Sequence, residues 1–258
     1  MDEGLFRSLV QQLHGRVNLL NFHVMGEPLY HPDFPKFIEI CAEEGQAVAI
    51  VTNGMILTEK IREALLQPTV YQVNFSLQSF SDNFPDANGT TYLQRIINFV
   101  DEAQEKRPDM HLNLRLWNEG HDEKTIAYNH KILAVVAKYL GMDADELGRM
   151  SLKGHRLKGN IFLNLSERFE WPDIDGPVLH KRGSCRALKN QIAILADGTV
   201  VPCCFDREGV IDLGSCRELS LKAVLEGDRS VTVRQGFSDQ YLVEDLCQRC
   251  SYRERLYK

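Results

Sequence analysis

The chain has 258 residues, 43% of them hydrophobic, and its 36 acidic against 30 Lys and Arg residues give a net charge of -6. That is enough apolar material for a sizeable core in one large domain or a domain with an appendage, and the acidic balance excludes a general attraction to nucleic acid or to anionic membrane. No apolar run is long enough to span a bilayer, and the start Met1-Asp2-Glu3-Gly4 lacks the basic residues and apolar stretch of a secretory signal, so a cytoplasmic location with no membrane partner is expected.

In chain order, apolar spacing predicts a first helix at about 4–13 and a strand over 17–25, then a helix over 33–44 with Phe34, Phe37, Ile38 and Cys41 on one face. Strands at 47–53, 70–78, 110–117 and 160–166 alternate with helices at 58–66, 90–105 and 123–140. This is the pattern of repeated strand-helix units around a parallel sheet. Parallel strands covered on both faces read as unbroken Val, Ile and Leu, so polar residues at every second position require a reason. Asn21 and His23 share one face of the first strand, Asn74, Ser76 and Gln78 one face of the third, and His111, Asn113 and Arg115 one face of the fourth; Asn164 and Ser166 continue the series. A barrel or partial barrel whose inner face lines a ligand cavity explains this. Edge strands with one solvated face explain only some of it. Arg115, His111 and His23 are candidates for ligand contact, with a structural role equally open for the histidines.

The turn-rich stretch Trp171-Pro172-Asp173-Ile174-Asp175-Gly176-Pro177 suits a boundary between a domain at 1–175 and a second at 176–258. In the second, strands at 191–196 and 199–203 flank Asp197-Gly198, a hairpin signal, and a short helix at 219–226 follows. Six of the seven cysteines fall after residue 184, and in an intracellular chain such clustering points to metal rather than disulfides. Cys247-x-x-Cys250 can set two thiolates on one metal site, and Cys185 and Cys203 can complete a set of four. Neighbours on a strand face opposite ways, so only one of Cys203 and Cys204 should reach the metal, and spacing from the Gly198 turn favours Cys203. Spacing leaves zinc and a cubane iron-sulfur cluster both open; Cys41 reads as a core residue and Cys216 as a loop residue near the ligands.

Val24-Met25-Gly26-Glu27-Pro28-Leu29 resembles the Gly-Gly-Glu-Pro motif of radical SAM enzymes, with Met25 in place of the first glycine. Thr52-Asn53-Gly54 and Ser76-Leu77-Gln78-Ser79 are similar to later strand-end segments of that family. Cys185, Gly198-x4-Cys203 and Cys247-x-x-Cys250 are similar to its SPASM or Twitch type of auxiliary-cluster domain. The resemblance implies a partial (β/α)6 TIM-like barrel lacking its first strand, followed by a small α+β SPASM/Twitch domain with a β-hairpin. It implies S-adenosylmethionine bound near Gly26, Glu27 and Ser76, and an auxiliary 4Fe-4S cluster on Cys185, Cys203, Cys247 and Cys250 that transfers electrons or binds substrate.

The resemblance also implies a peptide or small-molecule substrate attacked by a 5'-deoxyadenosyl radical, an oxidoreductase or peptide-modifying outcome, and an electron donor such as flavodoxin or ferredoxin. One departure stands out: the family's radical-generating 4Fe-4S cluster sits on Cys-x3-Cys-x2-Cys, and Cys41 is the sole cysteine before Cys185. A chain truncated at its N-terminus would account for this. The competing expectation is a non-catalytic barrel or binding protein with a structural zinc at the same four cysteines.

Overall fold

A computed structural model describes residues 1–84, 89–119, 122–148, 154–168 and 170–256. It divides into two compact units, His14–Phe169 and a second made of Met1–Leu13 with Glu170–Lys258. The helix α1 (Glu3–Leu13) opens the chain and belongs to the second unit.

The unit His14–Phe169 is built on β1 (Leu20–Phe22), α2 (Phe34–Glu43), β2 (Val48–Thr52), α3 (Glu59–Leu65), β3 (Val70–Ser76), α4 (Gln78–Asn83), α5 (Thr90–Lys106), β4 (His111–Glu119), α6 (Glu123–Leu140), α7 (Ala144–Gly148), β5 (Gly154–Lys158) and β6 (Ile161–Glu167). The six strands form one sheet in the order β1-β2-β3-β4-β6-β5. All neighbours pair in parallel except β5, which joins β6 antiparallel. One face of the sheet carries the core: Ile50, Val73, Phe75, Leu112, Leu114, Leu163 and Leu165 are buried with the apolar sides of the helices, among them Ile38, Phe99 and Ile132. Caps fix the helix starts where the chain supplies them. Thr58 Oγ1 accepts from Ile61 N at 3.4 Å, and Asp122 Oδ1 accepts from Lys124 N at 2.9 Å and Thr125 N at 3.1 Å.

Two local departures from the expected elements follow from backbone chemistry. The first strand holds only three residues because Val24, at φ 93, and Gly26, at φ 85, turn the chain out of extended geometry. The third strand stops at Ser76, and Gln78 opens α4 instead of extending the polar face.

In the second unit, β7 (Ala193–Ile194) and β8 (Val200–Val201) form the expected hairpin. Gly198, at φ 102, supplies the positive φ of the turn, and Asp197 Oδ1 accepts from Thr199 N at 2.9 Å. After it come α8 (Leu221–Glu226), α9 (Asp228–Ser238), α10 (Asp245–Gln248) and a 3-10 turn over Ser251–Leu256. The helix α1 packs here: Gln12 Oε1 accepts from Leu221 N at 2.7 Å, and Asp2 pairs with Arg217 at 2.8 Å. The core of this unit gathers Ala187, Leu188, Val233, Phe237 and Leu242, against which Cys185, Cys203 and Cys247 pack.

Candidate functional site

The C-terminal edge of a parallel sheet is where α/β folds bind ligands, and the expected ligand residues of the first unit gather there. Gly26 and Glu27 lie on the loop after β1, and Ser76 ends β3. Val24 is a β-branched residue at positive φ, a strained arrangement that the loop must be held into. What holds it is Glu27. Its carboxylate accepts from Thr52 Oγ1 at 2.7 Å, Asn53 N at 2.6 Å and Leu29 N at 3.1 Å, which latches the 24–30 loop onto the end of β2. Tyr92 adds a bond of 2.6 Å to the Asn53 carbonyl.

Burial pushes the Glu27 carboxyl above the ordinary range, and the three donors only partly offset this. The Glu27 side chain is thus spent inside the protein, so what this segment offers a ligand is its backbone. At Gly26 a Cβ would meet nothing within 4 Å; the glycine answers the φ of 85, and the space beside it is open.

The polar face of the sheet is joined through one atom. Asn74 Oδ1 accepts from Gln72 Nε2 at 2.6 Å, Asn113 Nδ2 at 2.8 Å and Arg115 Nη2 at 2.6 Å, while Asn74 Nδ2 donates to the Ile50 carbonyl at 2.9 Å. Arg115 neighbours Ser76 in register and Asn164 on the other side. Its guanidinium lies 4.7 Å from the Trp117 ring centroid, its Nε is buried with no hydrogen-bond partner among the described residues, and burial lowers its pKa to about 10. Lost hydration and then the Arg115 charge pull the His23 pKa down. His111 sits at the opposite end of β4, stacked on Phe162 at 5.5 Å and bonded to Tyr71 Oη at 3.1 Å. It packs rather than faces the ligand edge.

The second site is in the other unit. Cys185, Cys203, Cys247 and Cys250 line one cavity of about 120 Å3, together with Pro172, Phe205, Tyr252 and Arg253 among others. The β8 strand runs through Pro202 into Cys203, with Val200 and Val201 fully buried to anchor it. Asp206, itself buried, accepts from Val210 N at 2.8 Å and Ile211 N at 2.7 Å and so folds the loop after Cys203. Cys247 lies on α10, and the turn after it brings Cys250 round. The segment bearing Cys185 is tied to that turn: the Gln248 carbonyl accepts from Leu179 N and His180 N, both at 2.9 Å, and Arg249 Nε donates to the Gly176 carbonyl at 2.9 Å. Cys204 does not line the cavity, although it lies within electrostatic reach of Cys185 and Cys250.

Burial raises the Cys203 thiol to about 12 and pushes Cys247 and Cys250 up as well, with mutual repulsion of the cysteines adding to it. Such thiols are neutral at pH 7 and become thiolates when a cationic centre compensates them. Among the described residues no group of three or more His, Cys, Asp or Glu side chains is set to hold a metal ion; the four thiols line one cavity. A lone zinc draws its sulfurs to about 2.3 Å from one centre. Four thiols lining one cavity are a donor set that a zinc ion or a multi-iron cluster can use.

Residues 8–127 match the Radical SAM superfamily and residues 185–251 the SPASM iron-sulfur cluster-binding domain. A tungsten-containing aldehyde ferredoxin oxidoreductase cofactor-modifying protein of Pyrococcus furiosus is 23% identical over 98% of this chain and 80% of its own. Among solved structures, BtrN in complex with AdoMet and 2-DOIA superposes with a TM-score of 0.54 at 17% identity, over 97% of this chain and 80% of BtrN. Streptococcus suis SuiB gives 0.59 at 14%, over 99% and 68%. The two family matches define an S-adenosylmethionine-dependent iron-sulfur protein. The chain is a radical SAM protein with a C-terminal SPASM domain, and S-adenosylmethionine and an auxiliary 4Fe-4S cluster are the groups that go with it.

The auxiliary cluster fits the residues present. The radical-generating cluster does not: the 258 residues contain no Cys-x3-Cys-x2-Cys, and Cys41, fully buried on α2 with its thiol raised to about 12 by burial, offers no ligand. Sequence reasoning had flagged Gly26, Glu27, Ser76 and the four cysteines. It missed Trp117, and it missed Arg253, whose position beside the cysteines comes from a 3-10 turn that spacing does not announce.

Proposed function

We propose that this chain serves a radical SAM reaction on a peptide or small molecule, with the unit His14–Phe169 binding S-adenosylmethionine and the unit of Met1–Leu13 with Glu170–Lys258 holding the auxiliary cluster on Cys185, Cys203, Cys247 and Cys250. The convergence of those four thiols on one cavity is the observation that carries it. When bound, the auxiliary cluster supplies a one-electron acceptor or a binding point for substrate.

The chain's own residues supply position and polarity. The Glu27 latch fixes the Gly26 backbone, and the open space at Gly26 admits a ligand amino group to the carbonyls of that loop. Ser76 and Arg115, paired in register, offer a hydroxyl and a cation to the polar or carboxylate end of a ligand. His23, its pKa lowered by lost hydration and by Arg115, offers a ring nitrogen at the same edge. A peptide substrate is supported by the complex of SuiB with its precursor peptide SuiA, a fold relative at 13% identity and a TM-score of 0.58. A small molecule is supported by BtrN with 2-DOIA. Electrons would come from a small donor such as a flavodoxin or ferredoxin. Among the described residues no helix is long and apolar enough to cross a membrane, and the seven cysteines are unpaired, which supports a reducing compartment such as the cytoplasm.

Anaerobic purification with iron, sulfide and zinc counts tests this reading. Iron and sulfide that vanish in C250A support it; a colourless protein with stoichiometric zinc defeats it.

A further inference from the structure

One cation lies where iron-sulfur chemistry would feel it most. Arg253 is 6% exposed and lines the cavity with the four cysteines. Two of its three nitrogens are accounted for: Nε donates to the Ser184 carbonyl at 3.3 Å and Nη2 to the Arg182 carbonyl at 3.0 Å, on the strand of chain that leads into Cys185. Nη1 is buried with no partner among the described residues. The backbone N–H groups of Tyr252 and Arg253 point at the Cys250 thiol. Room for the guanidinium is made by Gly183, at φ 134, where a Cβ would collide with Arg253 Nη2. A buried cation with no carboxylate partner is costly unless an anion completes it. Among the described residues no ion pair involving Arg253 occurs, so the anion that the cavity can receive is the thiolate cluster itself.

We propose that Arg253 tunes the auxiliary cluster, its Nη1 donating to a cluster or cysteine sulfur and its buried charge favouring the reduced state. The inference rests on the four-cysteine reading above. Reduction adds one electron and one negative charge to the cluster with no bond made or broken at the protein, and a buried guanidinium lining the same cavity stabilises the more negative form. It therefore raises the reduction potential, since cluster potentials follow local charge, hydrogen bonds to sulfur and solvent exposure. Arg186 also lines the cavity but is exposed, and its charge is screened by water and salt.

The test is an EPR-monitored dithionite titration of the 258-residue chain, reconstituted anaerobically and compared at equal iron and sulfide content. R253Q should make reduction at least tenfold less favourable, a fall of about 59 mV for a one-electron couple. G183A, which keeps the arginine but displaces it, should shift the potential in the same direction. R253K should keep most of the wild-type potential, and R186Q should move it clearly less than R253Q. An unchanged potential in R253Q with full iron content, or equal shifts in R186Q and R253Q, overturns the proposal. Should the variants shed iron, wild-type protein carrying arginine labelled with 15N in the guanidino group decides it. The reduced cluster should then show a 15N coupling by pulsed EPR, and its absence overturns the proposal. A wild-type chain that binds zinc but no iron would instead bring down the four-cysteine reading, and this inference with it.

Discussion

Removing the Glu27 carboxylate should open the loop that carries the expected cofactor backbone while leaving the rest of the sheet in place. In E27A three donors lose their acceptor: Thr52 Oγ1, Asn53 N and Leu29 N, at 2.7, 2.6 and 3.1 Å. Bonds to a charged acceptor are worth about 1.5–3 kcal/mol each at most, but burial raises the Glu27 pKa, so the site already penalises the charge it holds. The net cost of E27A is therefore set near ~2 kcal/mol rather than the sum of three such bonds. E27Q keeps one oxygen acceptor and removes the charge, and should cost about half as much.

The pH dependence has a defined sign. With the folded pKa above the unfolded one, the group's contribution is fully present below the unfolded pKa and lost as pH rises through the folded one. E27Q, with nothing to titrate there, should abolish that part of the profile. Hydrogen exchange is the assay, because a local opening need not appear in global unfolding. Peptides covering 24–30 and 52–55 should lose protection in E27A, with β4 and β6 unchanged, and S-adenosylmethionine should bind more weakly by calorimetry. Unchanged exchange in both peptides together with unchanged affinity would refute the latch.

R115M should be neutral or stabilising toward denaturant, since it relieves an incompletely partnered buried cation, yet it should weaken ligand binding at the sheet edge; a loss of stability above ~2 kcal/mol would contradict this assignment. G54A should destabilise by about 1–3 kcal/mol, because a Cβ there meets Ile96 Cδ1 at 2.9 Å and Phe75 Cδ1 at 3.0 Å at a φ of 69; a melting temperature equal to wild type would be the contrary result. C41A should leave bound iron unchanged while costing roughly 1 kcal/mol for the small cavity left in the core of α2, and iron loss equal to that of C250A would show that Cys41 is a ligand.

The alternation of buried strands and amphipathic helices made most of the first unit legible. Continuous apolar runs such as Val48-Ala49-Ile50-Val51 have few other readings, and the helix caps at Thr58 and Asp122 mark their own boundaries. The antiparallel β5 was not legible: Gly154-His155-Arg156-Leu157-Lys158 is a polar edge whose pairing with β6 is decided by a turn at Gly159. Nor was α9, where Gly236 interrupts a weakly apolar helix for a tertiary reason, since a Cβ there would collide with Val243.

The cysteine site was readable because ligand spacing and the Asp197-Gly198 hairpin are local signals. Glu27 was readable as part of a motif but not as a latch, because its partners Thr52 and Asn53 are 25 and 26 residues away. Arg253 and Gly183 meet across 70 residues of chain and announce nothing singly.

The central claim is that Cys185, Cys203, Cys247 and Cys250 hold an iron-sulfur cluster, and the most direct measurement is the metal and sulfide content of the anaerobically purified chain with its EPR spectrum after reduction. About four iron and four sulfide per chain, with a reduced-cluster signal that disappears in C250A, is the predicted result; a colourless protein with about one zinc per chain and no sulfide would contradict it.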